Sequence, residues 1–147
     1  MDEFFQYDPL TAGTKGLVYI GDKILVYRRD SKTDKHPREL DLPGGGPEEN
    51  ETPYETFQRE VKEEFSLTIT PKDVVYARRY PSSLNKGKFG YYAVAKLPKG
   101  TEQHIKFGAE GTEYFIMTLE EYIARNDAWP VFQERAADYA KTLDSSN

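Results

Sequence analysis

The sequence predicts a single domain of mixed α/β class, a mixed β-sheet flanked by helices, and three observations lead there. Extended runs rich in Val, Ile, Tyr and Phe fill the first third of the chain and return after its middle. One helix with strong start signals separates the two sets, and helical spacing dominates the final stretch. The 147 residues, 37% of them hydrophobic, are enough to bury one core and too few for two, so the domain is expected to span residues 1–147.

The elements follow in order. Residues 16–20 and 23–28 are β-rich and flank Gly21-Asp22, the spacing of a tight hairpin. A polar loop, 29–38, leads to a short extended piece at 39–42, and Pro43 with Gly44, Gly45 and Gly46 opens a second loop. Thr52-Pro53-Tyr54-Glu55 combines a capping box with Pro at the first helical position, so a helix starts at Pro53 and runs to about Phe65. Extended runs return at 73–80, 89–97 and 113–117. Thr118 caps a helix over 119–124, and Pro130 starts a last helix on which Phe132, Ala136, Tyr139, Ala140 and Leu143 share a face. The polar tail 144–147 is expected to fray, and Trp129 reads as a core anchor. The segment Phe4-Phe5-Gln6-Tyr7 packs either on its own domain or on a second copy, which leaves monomer and homodimer open.

Composition narrows the chemistry. A net charge of −5 argues against nucleic-acid polymers as partners. With no Cys there is no thiolate nucleophile and no Cys-bound zinc. His36 and His104 share no metal spacing and read as loop or strand-edge residues. No run approaches the roughly 18 apolar residues that span a bilayer, and Met1-Asp2-Glu3 lacks the basic start of a signal peptide. A soluble, cytoplasmic chain without a membrane partner is expected. Catalysis would rest on carboxylates, hydroxyls, Lys, Arg or a hard metal ion bound by oxygen.

The middle helix supplies such a group. Turned at 100° per residue, Tyr54, Phe57, Val61 and Phe65 form one stripe, and Glu60, Glu63 and Glu64 form another beside it. Three carboxylates at this spacing repel one another by a few tenths of a kcal/mol per pair, and a cation reverses that cost. Clustered carboxylates suit Mg²⁺ or Mn²⁺. An isolated Glu-x-x-Glu-Glu is ordinarily a solvated helix face.

Here it sits in a longer pattern. From Gly45 the chain runs five residues to Glu51, seven more to Arg59-Glu60, then Val61, Lys62, Glu63-Glu64, Phe65, Ser66 and Leu67. This resembles the Nudix box over residues 45–67, in which every fixed position is met except a final Gly, replaced by Ser66. At about 1 in 15 per residue, six fixed matches arise by chance about once in ten million starts. The lead-in Leu42-Pro43-Gly44-Gly45-Gly46 and the element order also look like that family. Ser66 falls where the helix would end in a left-handed residue, costing a non-Gly residue roughly 1 kcal/mol.

The resemblance implies a Nudix-type α/β/α sandwich and Mg²⁺- or Mn²⁺-assisted attack of water on a pyrophosphate phosphorus. The implied substrate is a small nucleotide: a nucleoside triphosphate or a diphosphate derivative. It makes Glu63 and Glu64 metal ligands, Glu60 a ligand or base, and the Gly44 carbonyl a further ligand. Arg59 can reach back to Glu51 and hold the Gly45 loop on the helix. The Gly108-Ala109-Glu110-Gly111 stretch looks like the loop that supplies an extra ligand or general base, which points to Glu110, with Glu113 as the fallback. Arg28, Arg78 and Tyr91 are candidate substrate contacts, for phosphate or for stacking on a base. The alternative is a Nudix-fold module that binds a nucleotide as a sensor without turnover.

Overall fold

The computed structural model describes residues 1–30, 38–108 and 111–145. Its strands are β1 (Thr11–Ile20), β2 (Lys23–Arg29), β3 (Leu40–Asp41), β4 (Gly44–Gly45), β5 (Val74–Pro81), β6 (Phe89–Leu97) and β7 (Gly111–Met117). Its helices are α1 (Pro53–Phe65), α2 (Leu119–Ile123) and α3 (Pro130–Ser145). All seven strands join one sheet in the order β3-β2-β1-β6-β5, with β4 paired to β1 and β7 to β2. The sheet is mixed as expected, because β1 and β6 run parallel while the other pairs are antiparallel.

Residue alternation explains the layering. Leu17, Tyr19, Ile24, Val26, Tyr92 and Val94 face α2 and α3, where Tyr122, Phe132, Ala136 and Tyr139 meet them. Val18, Ile20, Leu25, Tyr27, Tyr91 and Ala93 face α1 and its Phe57, Val61 and Phe65. Helices therefore cover both faces, the α/β/α sandwich that the box implied. Phe4 is fully buried, with its ring 6.2 Å from Tyr54, 6.3 Å from Phe57 and 6.1 Å from Tyr91, so the N-terminal segment packs on its own domain. Among the described residues, no helix is long and apolar enough to cross a membrane.

Several element ends shift by one or two residues, β7 starting at Gly111 rather than at 113, and three further differences have a clear physical meaning. β1 begins at Thr11 rather than at residue 16. Its Gly- and Thr-rich first half lacks an apolar alternation, and pairing makes it a strand: Thr14 lies between Gly45 of β4 and Tyr91 of β6. Gly44 and Gly45, expected in a loop, form β4. Gly44 has φ 140°, and a Cβ there would collide with the Thr14 carbonyl oxygen, so the pairing requires glycine. α3 runs through residues 144 and 145, which were expected to fray; residues 146–147 lie outside those described.

Candidate active site

Local signals fix α1 in place. The Thr52 hydroxyl accepts from the Glu55 N–H at 3.1 Å, and the Glu55 carboxylate accepts from the Thr52 N–H at 2.9 Å, closing the capping box. Tyr54, Phe57, Val61 and Phe65 are buried, as the stripe predicts. The acidic stripe is not a solvated face, because Glu60 is 9% exposed and Glu64 1%. Glu63 remains exposed.

β4 lies against those acids. The Gly44 N–H donates to Glu64 Oε1 at 3.3 Å. At Gly45 an added Cβ would stand 2.6 Å from Glu60 Cδ, so the absence of a side chain keeps space open over that carboxylate.

Arg59 ties this assembly together. Its Nε donates to Glu51 Oε2 at 2.8 Å and its Nη2 to Glu51 Oε1 at 3.1 Å, the bidentate pair expected from the spacing. Nη2 also donates to the Gly46 carbonyl at 2.9 Å. The guanidinium holds the Glu51 carboxyl down at about 2 and raises its own proton affinity in return. Nη1 reaches Glu60 Oε1 at 2.9 Å and Glu63 Oε1 at 3.4 Å. The repulsion expected among bare carboxylates is thus already offset by Arg59.

Among the described residues, no three acidic or imidazole side chains converge, as they stand, to hold a metal ion. The donor chemistry nonetheless fits a hard divalent cation. Glu60, Glu63, Glu64 and the Gly44 carbonyl are all oxygen donors, and Gly45 leaves room beside Glu60.

At the far end of α1, Ser66 takes the left-handed conformation, φ 59° and ψ 29°, as expected for the position of the missing Gly. Its Oγ donates to the Lys106 carbonyl at 3.2 Å. The Lys106 N–H bonds the Phe65 carbonyl at 3.1 Å and the Gly108 N–H the Glu64 carbonyl at 2.7 Å. The approach to residue 109 is therefore stitched across the acidic turn. Glu110 lies outside the described residues; Glu113 pairs with Arg28 at 3.4 Å.

A buried cation–anion cluster stands behind β4. Asp41 is 1% exposed and accepts from Lys15 Nζ at 2.9 Å, from Arg29 Nη1 at 2.6 Å and from the Leu42 N–H at 2.7 Å. Burial alone would raise the Asp41 carboxyl, and the Lys15 and Arg29 charges overcome it and hold the group below its ordinary value. Lys15 Nζ also reaches the Gly44 carbonyl at 3.4 Å.

Beside β4 opens a cleft of about 210 Å³ that runs from Lys15 and Gly45 to Tyr91, Trp129, Phe132 and Arg135. Of the three candidate substrate contacts, Tyr91 borders it, but its ring packs on the α1 side 6.1 Å from Phe4 and its hydroxyl donates to Asp8 at 2.7 Å. Arg28 instead joins Asp127 at 3.3 Å and Glu113, while Arg78 stands over the Tyr80 ring 3.7 Å from Asp138. Lys15, Asp41 and Arg135 were missed in the sequence; the one available signal was a charged residue inside an apolar strand or helix face. Trp129, expected in the core, is half-buried and also lines the cleft. His104 is exposed at the end of a short 3-10 turn, Thr101–His104, and His36 lies outside the described residues.

The arrangement is a glycine strand pressed onto a glutamate-bearing helix, inside an α/β/α sandwich and beside an open cleft. The chain belongs to the NUDIX domain family, which matches residues 11–138, and so to a class of pyrophosphohydrolases acting on nucleotide derivatives. No curated protein matches its sequence. Similar solved structures include a MutT protein from Methanosarcina mazei Go1, with a TM-score of 0.73 and 21% identity over 91% of this chain and 94% of that one. An Ap4A hydrolase binary complex from C. elegans gives 0.70 and 16% over 90% and 98%. A bifunctional NMN adenylyltransferase/ADP ribose pyrophosphatase from Francisella tularensis, complexed with AMP and a Mn ion, gives 0.60 and 18% over 82% of this chain and 36% of that one. At these identities the likeness is one of fold.

Proposed function

We propose that the chain is a Mg²⁺- or Mn²⁺-dependent hydrolase that cleaves a pyrophosphate bond in a nucleoside di- or triphosphate derivative, with water attacking phosphorus. The observation that carries this reading is β4 seated on α1, which sets the Gly44 N–H on the Glu64 carboxylate and Gly45 against that of Glu60, with Gly45 itself lining the cleft. Glu60, Glu63, Glu64 and the Gly44 carbonyl would hold the ion. When bound, the ion neutralises phosphate charge and polarises the bond that breaks.

The chain's own groups do the rest. Arg59 clamps Glu51 and the glycine segment to the helix, and Lys15 fixes a positive charge at the phosphate end. Trp129 and Phe132 offer rings to a base. Glu110 is assigned as base or extra ligand ahead of Glu113, because Gly108, two residues before it in sequence, bonds the Glu64 carbonyl and Arg28 already holds Glu113. The whole chain acts as one domain, on small nucleotides of the cytoplasm, as a monomer or homodimer.

The test is product release from a panel of nucleoside di- and triphosphate derivatives with Mg²⁺. Expected results are turnover, its loss with chelator, and a drop of at least about 100-fold in Glu64→Gln. One observation favours the sensor reading: Arg59 Nη1 already engages Glu60 and Glu63, the carboxylates an ion would need. Saturable nucleotide binding without product across the panel would establish it instead.

A further inference from the structure

We propose that Arg135 reads the base of the substrate and selects 6-oxopurines, guanine and hypoxanthine, over 6-aminopurines; this deepens, and rests on, the reading of the cleft as a nucleotide site. Arg135 is 7% exposed, on α3, and lines the cleft. Its guanidinium lies 4.5 Å from the centre of the Tyr80 ring and 5.7 Å from that of Phe132, and Nη2 donates to the Pro81 carbonyl at 3.2 Å. No carboxylate among the described residues forms an ion pair with it. Asp138, one turn on, is held by the Tyr80 hydroxyl at 2.9 Å and by Arg78 at 3.7 Å. A guanidinium has five N–H donors, and among the described residues the Pro81 carbonyl is the acceptor for this one, so a buried Arg135 has donors left for a ligand.

The cleft also carries Lys15 and no Asp or Glu among its described lining, in a chain of net charge −5. Its apolar walls there, Trp129, Phe132 and Leu84, suit a flat ring.

Position decides what reaches Arg135. Thr14 pairs with Gly45 on one side and Tyr91 on the other, so β6 lies two strand spacings, about 10 Å, from β4 and its carboxylates. Nη1 stands over Gly90 of β6, where an added Cβ would be 3.4 Å away. A nucleoside 5′-phosphate spans that reach from its phosphorus to the far edge of its base. The fork of a guanidinium matches the O6 and N7 acceptors of a 6-oxopurine; adenine presents an amino donor there, donor against donor.

The experiment compares GTP, ITP, ATP and inorganic tripolyphosphate as substrates with Mg²⁺, in wild type, Arg135→Met and Arg135→Lys. Alongside, fluorescence of Trp129, the sole Trp, follows binding of GMP, IMP and AMP. Wild type is expected to favour GTP and ITP over ATP by about 10- to 100-fold in kcat/KM, through KM, and Arg135→Met to collapse that ratio toward 1. Equal use of the purines by wild type overturns the proposal. So does an equal loss across all substrates including tripolyphosphate, which makes Arg135 a phosphate contact. If nothing is hydrolysed but GMP and IMP bind more tightly than AMP, the hydrolase reading fails and this one stands. If Arg135→Met does not fold by circular dichroism, the wild-type ratio and Arg135→Lys decide.

Discussion

Ser66 shows how one side chain can be costly and useful at once. Its left-handed backbone disfavours any residue with a Cβ, while its hydroxyl ties α1 to Lys106. Ser66→Gly and Ser66→Ala both lose that bond and only Gly relieves the backbone, so Gly is expected to be the more stable by about 1 kcal/mol in urea unfolding. Asp127 gives the acid dependence. The Arg125 guanidinium at 2.7 Å, helped by Arg28, holds its carboxyl down at about 2, below the ordinary carboxylate range. A lowered carboxyl stabilises the fold above its unfolded value and loses that contribution as pH falls from about 4 through about 2. Asp127→Asn is expected to cost under about 1 kcal/mol at pH 7, the pair being partly exposed, and to flatten the loss over that window. The glutamates, Arg59 and Glu51 were legible in sequence because their meaning lies in spacing along one helix and its lead-in. Lys15 and Arg135 were not, since only the sheet brings Lys15 to Asp41 and Arg135 to an open cleft.

Among the elements, β4 and α1 do the positioning, and their two glycines should fail in different ways. Gly44→Ala forces a side chain against the Thr14 backbone at φ 140°, so a loss of folding stability, read as a lower melting temperature, is expected to dominate. Gly45→Ala meets first the movable end of Glu60, so it should fold nearly as well and lose roughly 10-fold or more in turnover as Glu60 is pushed aside. α1 and the β1–β2 turn were readable from their caps and from Gly21-Asp22. β4 and the start of β1 were not, because nothing in their own residues distinguishes a glycine loop from a paired glycine strand. Pairing to Thr14 and Lys15 settles it.

For the molecule as a whole, the sandwich class followed from the order of β-rich and helical segments, whereas the strand order did not. A continuous apolar run such as residues 17–20 reveals that a strand is covered on both sides without naming its neighbours. The N-terminal segment belongs to the same body: Phe4→Ala is expected to cost about 3 to 5 kcal/mol by chemical denaturation, more than any substitution at exposed Tyr7. The parallel β1–β6 ladder joins Gly16 to Ala93 and lies between the hairpin and β5. Such a seam closes only after a long stretch of polypeptide has been made, which slows folding. A nascent chain halted before Phe89 would hold the hairpin and the glutamate helix while leaving one edge of β1 bare, an invitation to aggregate until the ribosome delivers its partner.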